Sequence, residues 1–511
     1  MTLFAMTFFM LMIMMGGIAV DVMKYETRRT QLQNTLDRST LAAAALTQTR
    51  SPEAVVNDYF RKAGVLAYLK SVTVTQGINY RNVAAKADGD TDPLFMHLMG
   101  ISNLDAYGLS DAEQRISNIE IMLVLDVSGS MAQNSKILNL QNAAKDFVST
   151  VLANDVEHKI SIGMVPFNGQ INLGPKLLAK YNSVYPNGGT NQDCVDLPAS
   201  VYASHYVDRL TPLPMTIAGD TYSGGGSASS YSNYASYTPY PANEWCPNMP
   251  GNIVRLPQQD VATLQGYING LSAVGATSIN AGLAWGISLL DPKSRQMYNE
   301  FRATGDIPAT MVGRPYDYND KDMMKVIVLM TDGENFMEDR VNDLYKTGPS
   351  PIYKSSVDGN YSVFQPTHAL PNQFYVPHLN TWQLVPWSNA GSTGLFVQQT
   401  WPQVWNALRV QYVASQFYAR PLNQSAATWL ATFRVQTPTT TMDTQMQSMC
   451  DTAKANGIIV YGIAFEAPTN GQAQISQCAS SAANYFNASG IQISTAFAAI
   501  ANNISQLRLT Q

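Results

Sequence analysis

The chain has 511 residues, enough for two or three domains with a substantial core, and only 14% of them are charged, against about 25% in an ordinary soluble protein. Ser, Thr, Asn, Gln and Tyr supply most of the polarity instead. The net charge of −5 and the lack of any basic block leave no electrostatic footing for nucleic acid.

No charge occurs before Asp21, and the run from Leu3 to Met15 is as apolar as a bilayer interior. Built as a helix, Leu3 to Val20 extends about 27 Å, close to the ~30 Å of hydrocarbon it would cross. A cleaved signal peptide would show a basic n-region and a small-x-small cleavage site, so residues 1–22 are expected to be a retained transmembrane anchor. Beyond Asp21 the helix continues without a breaker, carrying Tyr25, Leu32, Leu36, Ala43 and Leu46 among Arg28, Arg29, Gln31, Gln33 and Arg38, until Pro52 opens a new helical section. The phrase Gly16-Gly17-Ile18-Ala19-Val20-Asp21-Val22, followed by Arg-rich and Ala-rich helix, resembles the N-terminal segment of the TadE/TadG-like proteins of Flp (Tad) pilus assembly. Lys24, Arg28 and Arg29 follow the span and nothing basic precedes it, which by the positive-inside tendency would leave the C-terminal side in the cytoplasm. Members of that family usually carry basic residues before the span, and a shortened start would account for the difference.

Residues 23–118 read as a helical stalk plus a small mixed segment. Val72-Thr73-Val74 alternates, and Asp88-Gly89-Asp90-Thr91-Asp92 reads as a solvated turn, because it lacks the closing Glu of a calcium loop. From Glu120 the pattern changes to apolar strands alternating with amphipathic helices, which argues for a parallel sheet flanked by helices. The strand Ile119 to Leu125 lacks polar alternation except at Glu120, as a strand covered on both faces does. It runs into Asp126-Val127-Ser128-Gly129-Ser130-Met131. At alternate positions of that turn, Asp126, Ser128 and Ser130 can present one carboxylate and two hydroxyls to a hard cation; the same residues would also serve to cap the next helix. That helix places Ile137, Leu140, Ala144, Phe147, Val148 and Val151 on one face, with Lys136, Gln141 and Lys145 on its exposed side. Further strands are expected at Lys159 to Phe167, Met324 to Met330 and Gly457 to Phe465, and a last helix buries Phe497, Ile500, Ile504 and Leu507.

Two insertions interrupt the alternation. Residues 174–257 contain the polar run Thr221 to Tyr231, Ser- and Gly-rich and expected to be mobile in part. Residues 336–440 hold Trp382, Trp387, Trp401, Trp405 and Trp429, an aromatic load that usually packs, so an ordered insertion is expected; an exposed carbohydrate-binding surface is the alternative. The four cysteines, Cys194, Cys246, Cys450 and Cys478, show no Cys-x-x-Cys pair. An even count fits two disulfides in an oxidising compartment, and pairing Cys194 with Cys246 and Cys450 with Cys478 keeps each bridge within one local region.

Open α/β sheets place their sites in loops at the carboxyl ends of the strands. Two further loops of that kind are present: Gly275 to Leu283, where Thr277 precedes a helix, and Met330-Thr331-Asp332-Gly333-Glu334, where Asp332 ends an apolar strand. Asp126, Ser128, Ser130, Thr277 and Asp332 together resemble the metal-ion-dependent adhesion site of von Willebrand factor type A domains. The resemblance implies a doubly wound, mostly parallel sheet with helices on both faces over residues 119–511. It also implies a bound Mg2+, with Ca2+ or Mn2+ able to substitute, and a protein partner whose acidic residue completes the coordination shell. Catalysis finds little support, since His97, His158, His205, His368 and His378 are scattered and no zinc-protease, phosphate-loop or nucleophile-elbow motif occurs.

With the anchor, the late cysteines, and Tyr485 to Ser489 running into Ala498 to Ser505, the chain resembles TadG-type proteins of the Flp pilus system. That resemblance implies a single-pass inner-membrane protein, its bulk in the periplasm or at the cell surface, acting without enzymatic activity in pilus assembly or anchoring. A surface adhesin for host or matrix ligands is the alternative, and a metal-dependent hydrolase a lesser one.

Overall fold

The structure, a computed structural model, describes residues 2–45, 48–76, 80–115, 118–153, 155, 157–185, 193–217, 245–320, 322–389 and 395–505. The polar run Thr221 to Tyr231, and Leu507, expected in the last helix, lie outside the described residues. The chain forms two compact units, one of Met1–Ser117 with Asn503–Gln511 and one of Asn118–Asn502.

The first unit is built on helix α1 (Thr2–Ala44). Its side chains through Met15 are exposed, whereas Leu32, Leu36, Ala43 and Ala44 are buried. The apolar run is therefore the one long, apolar helix near the N-terminus that satisfies the length and composition of a membrane span among the described residues. Helix α2 (Pro52–Lys62) starts where Ser51 accepts from the Ala54 N–H and proline fills the first turn. Three antiparallel strands follow, β1 (Leu69–Gln76), β2 (Tyr80–Thr91) and β3 (Leu104–Arg115), in the order β1-β2-β3. From Leu32 onward α1 is thus one layer of a helix-on-sheet unit.

The acidic segment read as a solvated turn corrects to strand: Asp88 to Thr91 belong to β2 and pair with Leu104 to Tyr107 of β3. Val83, Ala85 and Ala87 alternate inward against the helix while Lys86 and Asp90 face out. That period of two was hard to see because its inward members are mostly alanines, which carry little hydrophobic signal but let helix and sheet approach closely.

The second unit holds a six-stranded sheet. Its strands and main helices are β4 (Asn118–Asp126), α3 (Lys136–Leu152), β5 (Ile160–Phe167), β6 (Arg255–Gln258), α4 (Val261–Asn269), α5 (Ile279–Leu290), β7 (Met323–Thr331), α6 (Thr439–Ala455), β8 (Ile459–Phe465), α7 (Thr469–Cys478), β9 (Tyr485–Ala488) and, through Asn502, α8 (Gln492–Ser505). The strand order is β9-β8-β7-β4-β5-β6. All neighbours are parallel except the edge strand β6, antiparallel to β5. Strands β4, β5 and β7 are buried along nearly their whole length, as continuous apolar runs require. On one face Met122, Val124, Ile327, Leu329 and Val460 form a core with α5, every residue of which is buried, and with α6. Ile121, Leu123 and Leu125 alternate to the opposite face. The strand β6, at the end of the first insertion, was not read from Arg255-Leu256-Pro257-Gln258, since proline is tolerated only at sheet edges.

Two disulfides form, Cys194–Cys246 across the first insertion and Cys450–Cys478 between α6 and the end of α7. The second insertion leaves and rejoins the unit through a short antiparallel ladder of Glu338–Val341 with Arg434–Thr437. Between these strands lies a five-stranded antiparallel sheet, in spatial order Thr381–Gln383, Phe374–Val376, Tyr361–Phe364, Pro349–Ser355 and Phe396–Thr400. Trp401 and Trp405 stack at 5.2 Å and sit with Tyr412, Phe417 and Phe433 in its core. Trp382 and Trp429 are partly buried against the same cluster.

Candidate metal centre

The carboxyl ends of the adjacent parallel strands β4 and β7 deliver Asp126 and Asp332 to the same place. Asp126 is the last residue of β4, and Asp332 follows Thr331, the last of β7. The turn after β4 is tied to the loop before α5 by two backbone hydrogen bonds, Val274 N–H to Val127 O (2.8 Å) and Gly129 N–H to Gly275 O (2.9 Å). This brings in Thr277, whose carbonyl in turn accepts from the Phe336 N–H at 2.8 Å. Asn335 holds the start of α5 by accepting from the Ile279 N–H at 2.8 Å.

Four of the five expected residues form one hydrogen-bonded chain. Asp126 Oδ1 accepts from the Ser128 N–H at 2.7 Å, the Ser128 and Ser130 hydroxyls lie 3.0 Å apart, and the Ser130 hydroxyl donates to Asp332 Oδ1 at 2.7 Å. Thr277 is not part of that chain: its carbonyl accepts from the Phe336 N–H, and its buried side chain lies beside Gly333. Asp126 and Ser128 are fully buried and Asp332 nearly so. Burial, and then the neighbouring Asp332 carboxylate, push the Asp126 carboxyl up to about 7, against the pull of hydrogen bonds from Thr331 and Ser128.

Two participants escaped the sequence reading. Thr331 donates its hydroxyl to Asp126 Oδ2 at 2.6 Å. Lys136, read as part of the exposed face of α3, is corrected: it is buried, its Nζ lying 2.9 Å from Asp332 Oδ2 and 3.8 Å from Glu466 Oε2. The signal was its place at the first position of α3, because helical side chains lean toward the N-terminus and so toward the preceding turn.

The donor set consists of hard oxygens, two carboxylates and three hydroxyls, which suits Mg2+, Ca2+ or Mn2+ and not a soft metal. Among the described residues no group of three or more His, Cys, Asp or Glu is placed to hold a metal, so a cation here depends on the serine and threonine oxygens. The residues fit such an ion chemically: Asp126 sits in a dry site beside a second carboxylate, and a divalent charge would relieve the repulsion that raises it. Lys136 already neutralises the far side of Asp332.

The loop bearing Asp332 is packed from behind by α7. A Cβ at Gly471 would stand 2.2 Å from the Gly333 carbonyl oxygen, so Gly471→Ala must displace that loop. We expect a loss of about 1–3 kcal/mol from overpacking. Gly266→Ala on α4, where a Cβ meets nothing within 4 Å, gains up to about 1 kcal/mol from helix propensity. Denaturant unfolding of the two variants checks the contrast.

Residues 1–46 match the family model described as "Putative Flp pilus-assembly TadE/G-like"; the N-terminal segment is TadE/G-like. No curated protein matches the chain. Among solved structures, the von Willebrand factor domain of the type V pilus tip protein Mfa5 from Porphyromonas gingivalis is similar at 12% identity and a TM-score of 0.31, over 76% of this chain and 96% of that one. The pilus adhesin SpaC from Lactobacillus rhamnosus GG is similar at 12% identity and a TM-score of 0.30, over 86% of this chain and 34% of that one, so the match spans about a third of the adhesin. The minor pilin PilB from Streptococcus sanguinis is similar at 11% identity and a TM-score of 0.33, over 86% of this chain and 78% of that one.

Proposed function

We propose that this chain is a membrane-anchored, extracytoplasmic component of Flp/Tad pilus assembly or anchoring. Its second unit acts as a von Willebrand factor type A domain, doubly wound about the parallel sheet, and binds a protein partner through a metal ion held by Asp126, Ser128, Ser130, Thr277 and Asp332. The observation that carries the reading is the buried hydrogen-bonded chain Asp126–Ser128–Ser130–Asp332 at the carboxyl ends of neighbouring parallel strands. An isolated helix cap has no need of a second buried carboxylate from another strand. The hydroxyl-rich set leaves a bound Mg2+ electrophilic, so an acidic side chain from the partner can take a position otherwise held by water. The TadE/G-like start supports the pathway, and the exposed apolar half of α1 supports a single-pass anchor. Two disulfides support an oxidising compartment for the second unit.

In cells, Asp126→Ala should abolish pili while leaving the level of the membrane-bound chain unchanged; full piliation in that variant would overturn the metal bridge. Deleting residues 340–435 separates assembly from adhesion. Loss of pili supports the assembly role, whereas intact pili with lost adhesion favour the adhesin.

A further inference from the structure

The connection between β2 and β3 carries the stretch Pro93-Leu94-Phe95-Met96-His97-Leu98-Met99-Gly100-Ile101, without a single Asp, Glu, Lys or Arg. The folded unit leaves much of it uncovered, with Leu94 62%, Leu98 75% and Met99 55% exposed. Its place is fixed by α1. The fully buried Asp21 carboxylate accepts from the backbone N–H groups of Leu94 (2.8 Å), Phe95 (2.7 Å) and Met96 (2.7 Å). One helical turn toward the N-terminus, the Phe95 ring covers Gly17 so closely that a Cβ there would stand 2.2 Å from it. The loop therefore grips α1 across residues 17 to 21, where the uncharged run gives way to the first carboxylate. Gly17 lies about 4.5 Å along the axis before Val20, the end of the apolar span, so an α1 that crosses a bilayer would carry the loop at the depth of the hydrocarbon boundary.

We propose that this loop dips into the lipid interface beside the anchor and forms a second membrane contact of the first unit. The proposal rests on the anchor reading. The occupant follows from continuity: the uncovered Leu94, Leu98 and Met99 extend sideways the same apolar surface that α1 presents to the bilayer, and His97 is the loop's one titratable side chain. Asp21, placed where a charge could meet headgroups, instead spends both oxygens on the loop backbone. A rigid attachment of this kind would set the angle at which the unit leaves the membrane, which a lone helix leaves free to rotate.

No free cysteine occurs, so a single introduced cysteine can be labelled with an environment-sensitive fluorophore. Leu98→Cys, Phe9→Cys within the span, and Glu53→Cys on α2 are each prepared in the full chain. The proteins are reconstituted into phosphatidylethanolamine–phosphatidylglycerol vesicles carrying spin-labelled lipid. The expected result is blue-shifted emission at position 98, quenched by lipid labelled near the headgroup several-fold more than at position 53. Quenching at position 9 with an aqueous, unquenched label at position 98 overturns the loop contact and leaves the anchor standing. A label at position 98 shielded from water yet untouched by lipid quencher means a protein covers the loop, and also overturns it. An aqueous label at position 9 overturns the anchor and the loop together.

Discussion

Replacing Lys136 with methionine is expected to cost the metal-free protein about 3–5 kcal/mol, the range for breaking a buried ion pair by removing one partner. Methionine keeps most of the apolar stem, so the change isolates the charge. Lys136 is 8% exposed in its side chain, and its Nζ lies 2.9 Å from Asp332 Oδ2, an atom with no exposure of its own to water. Without the ammonium, Asp332 and Asp126 face each other in a dry site with a net negative charge. The expected loss should shrink when Mg2+ is added, because a divalent ion supplies the missing positive charge at the same carboxylate. Mass action at about a hundredfold excess over Kd stabilises any Mg2+-binding form by about 2.7 kcal/mol, so the loss shrinks by the amount to which the variant, lacking the competing ammonium, binds Mg2+ more tightly. Denaturant unfolding of the variant and of the unmodified protein, each with and without Mg2+, reads both effects; an equal loss in the two conditions would mean that Lys136 does not compete with a cation.

Glu120→Ala should be as destabilising, about 3–5 kcal/mol, for a different reason. Glu120 lies near the start of β4, where its Oε2 is 2.5 Å from Lys325 Nζ and its Oε1 is 3.8 Å from an Arg314 nitrogen. All three side chains are at most 4% exposed. Arg314 also donates to the Ile119 carbonyl and the Ser161 hydroxyl, and Glu120 accepts from the Tyr316 N–H. Burial pushes the Lys325 ammonium below its usual range, and Glu120 pulls it back. Removing the carboxylate strands two buried cations. This network sits about 20 Å from Asp126 at ~3.3 Å per strand residue, so Glu120→Ala should leave Mg2+ affinity unchanged. A coupled change in affinity, measured by titration at a temperature where the variant is folded, would show that the two ends of β4 are not independent.

The contrast between these two residues shows what could be read from the chain. Glu120 announced itself as the one polar break in an apolar strand, but its partners Arg314 and Lys325 arrive from distant segments, and no local pattern encodes that pairing. The mixed α/β character, the apolar N-terminal helix and the presence of two disulfides were legible, because continuous apolar runs, an uncharged span and an even cysteine count each have one dominant physical cause. Asp126, Ser128, Ser130 and Asp332 were legible as candidates through the turn chemistry at strand ends, and the structure brings these four together. Lys136 was missed because helical periodicity assigned it to solvent, a rule that fails in the first turn, where side chains lean out over the preceding loop. The strand from Asp88 to Thr91 was missed for a compositional reason, since aspartates dominate its outward face and its one buried member is Gly89.

The central claim is a single cation held by hydroxyls and two carboxylates at the ends of β4 and β7, and calorimetric titration of the full chain with Mg2+ tests it most directly. We expect one Mg2+ per chain in the unmodified protein, and no binding in Asp126→Ala, whose fold is verified by circular dichroism. Absence of binding in the unmodified chain, or equal binding in both, would contradict it.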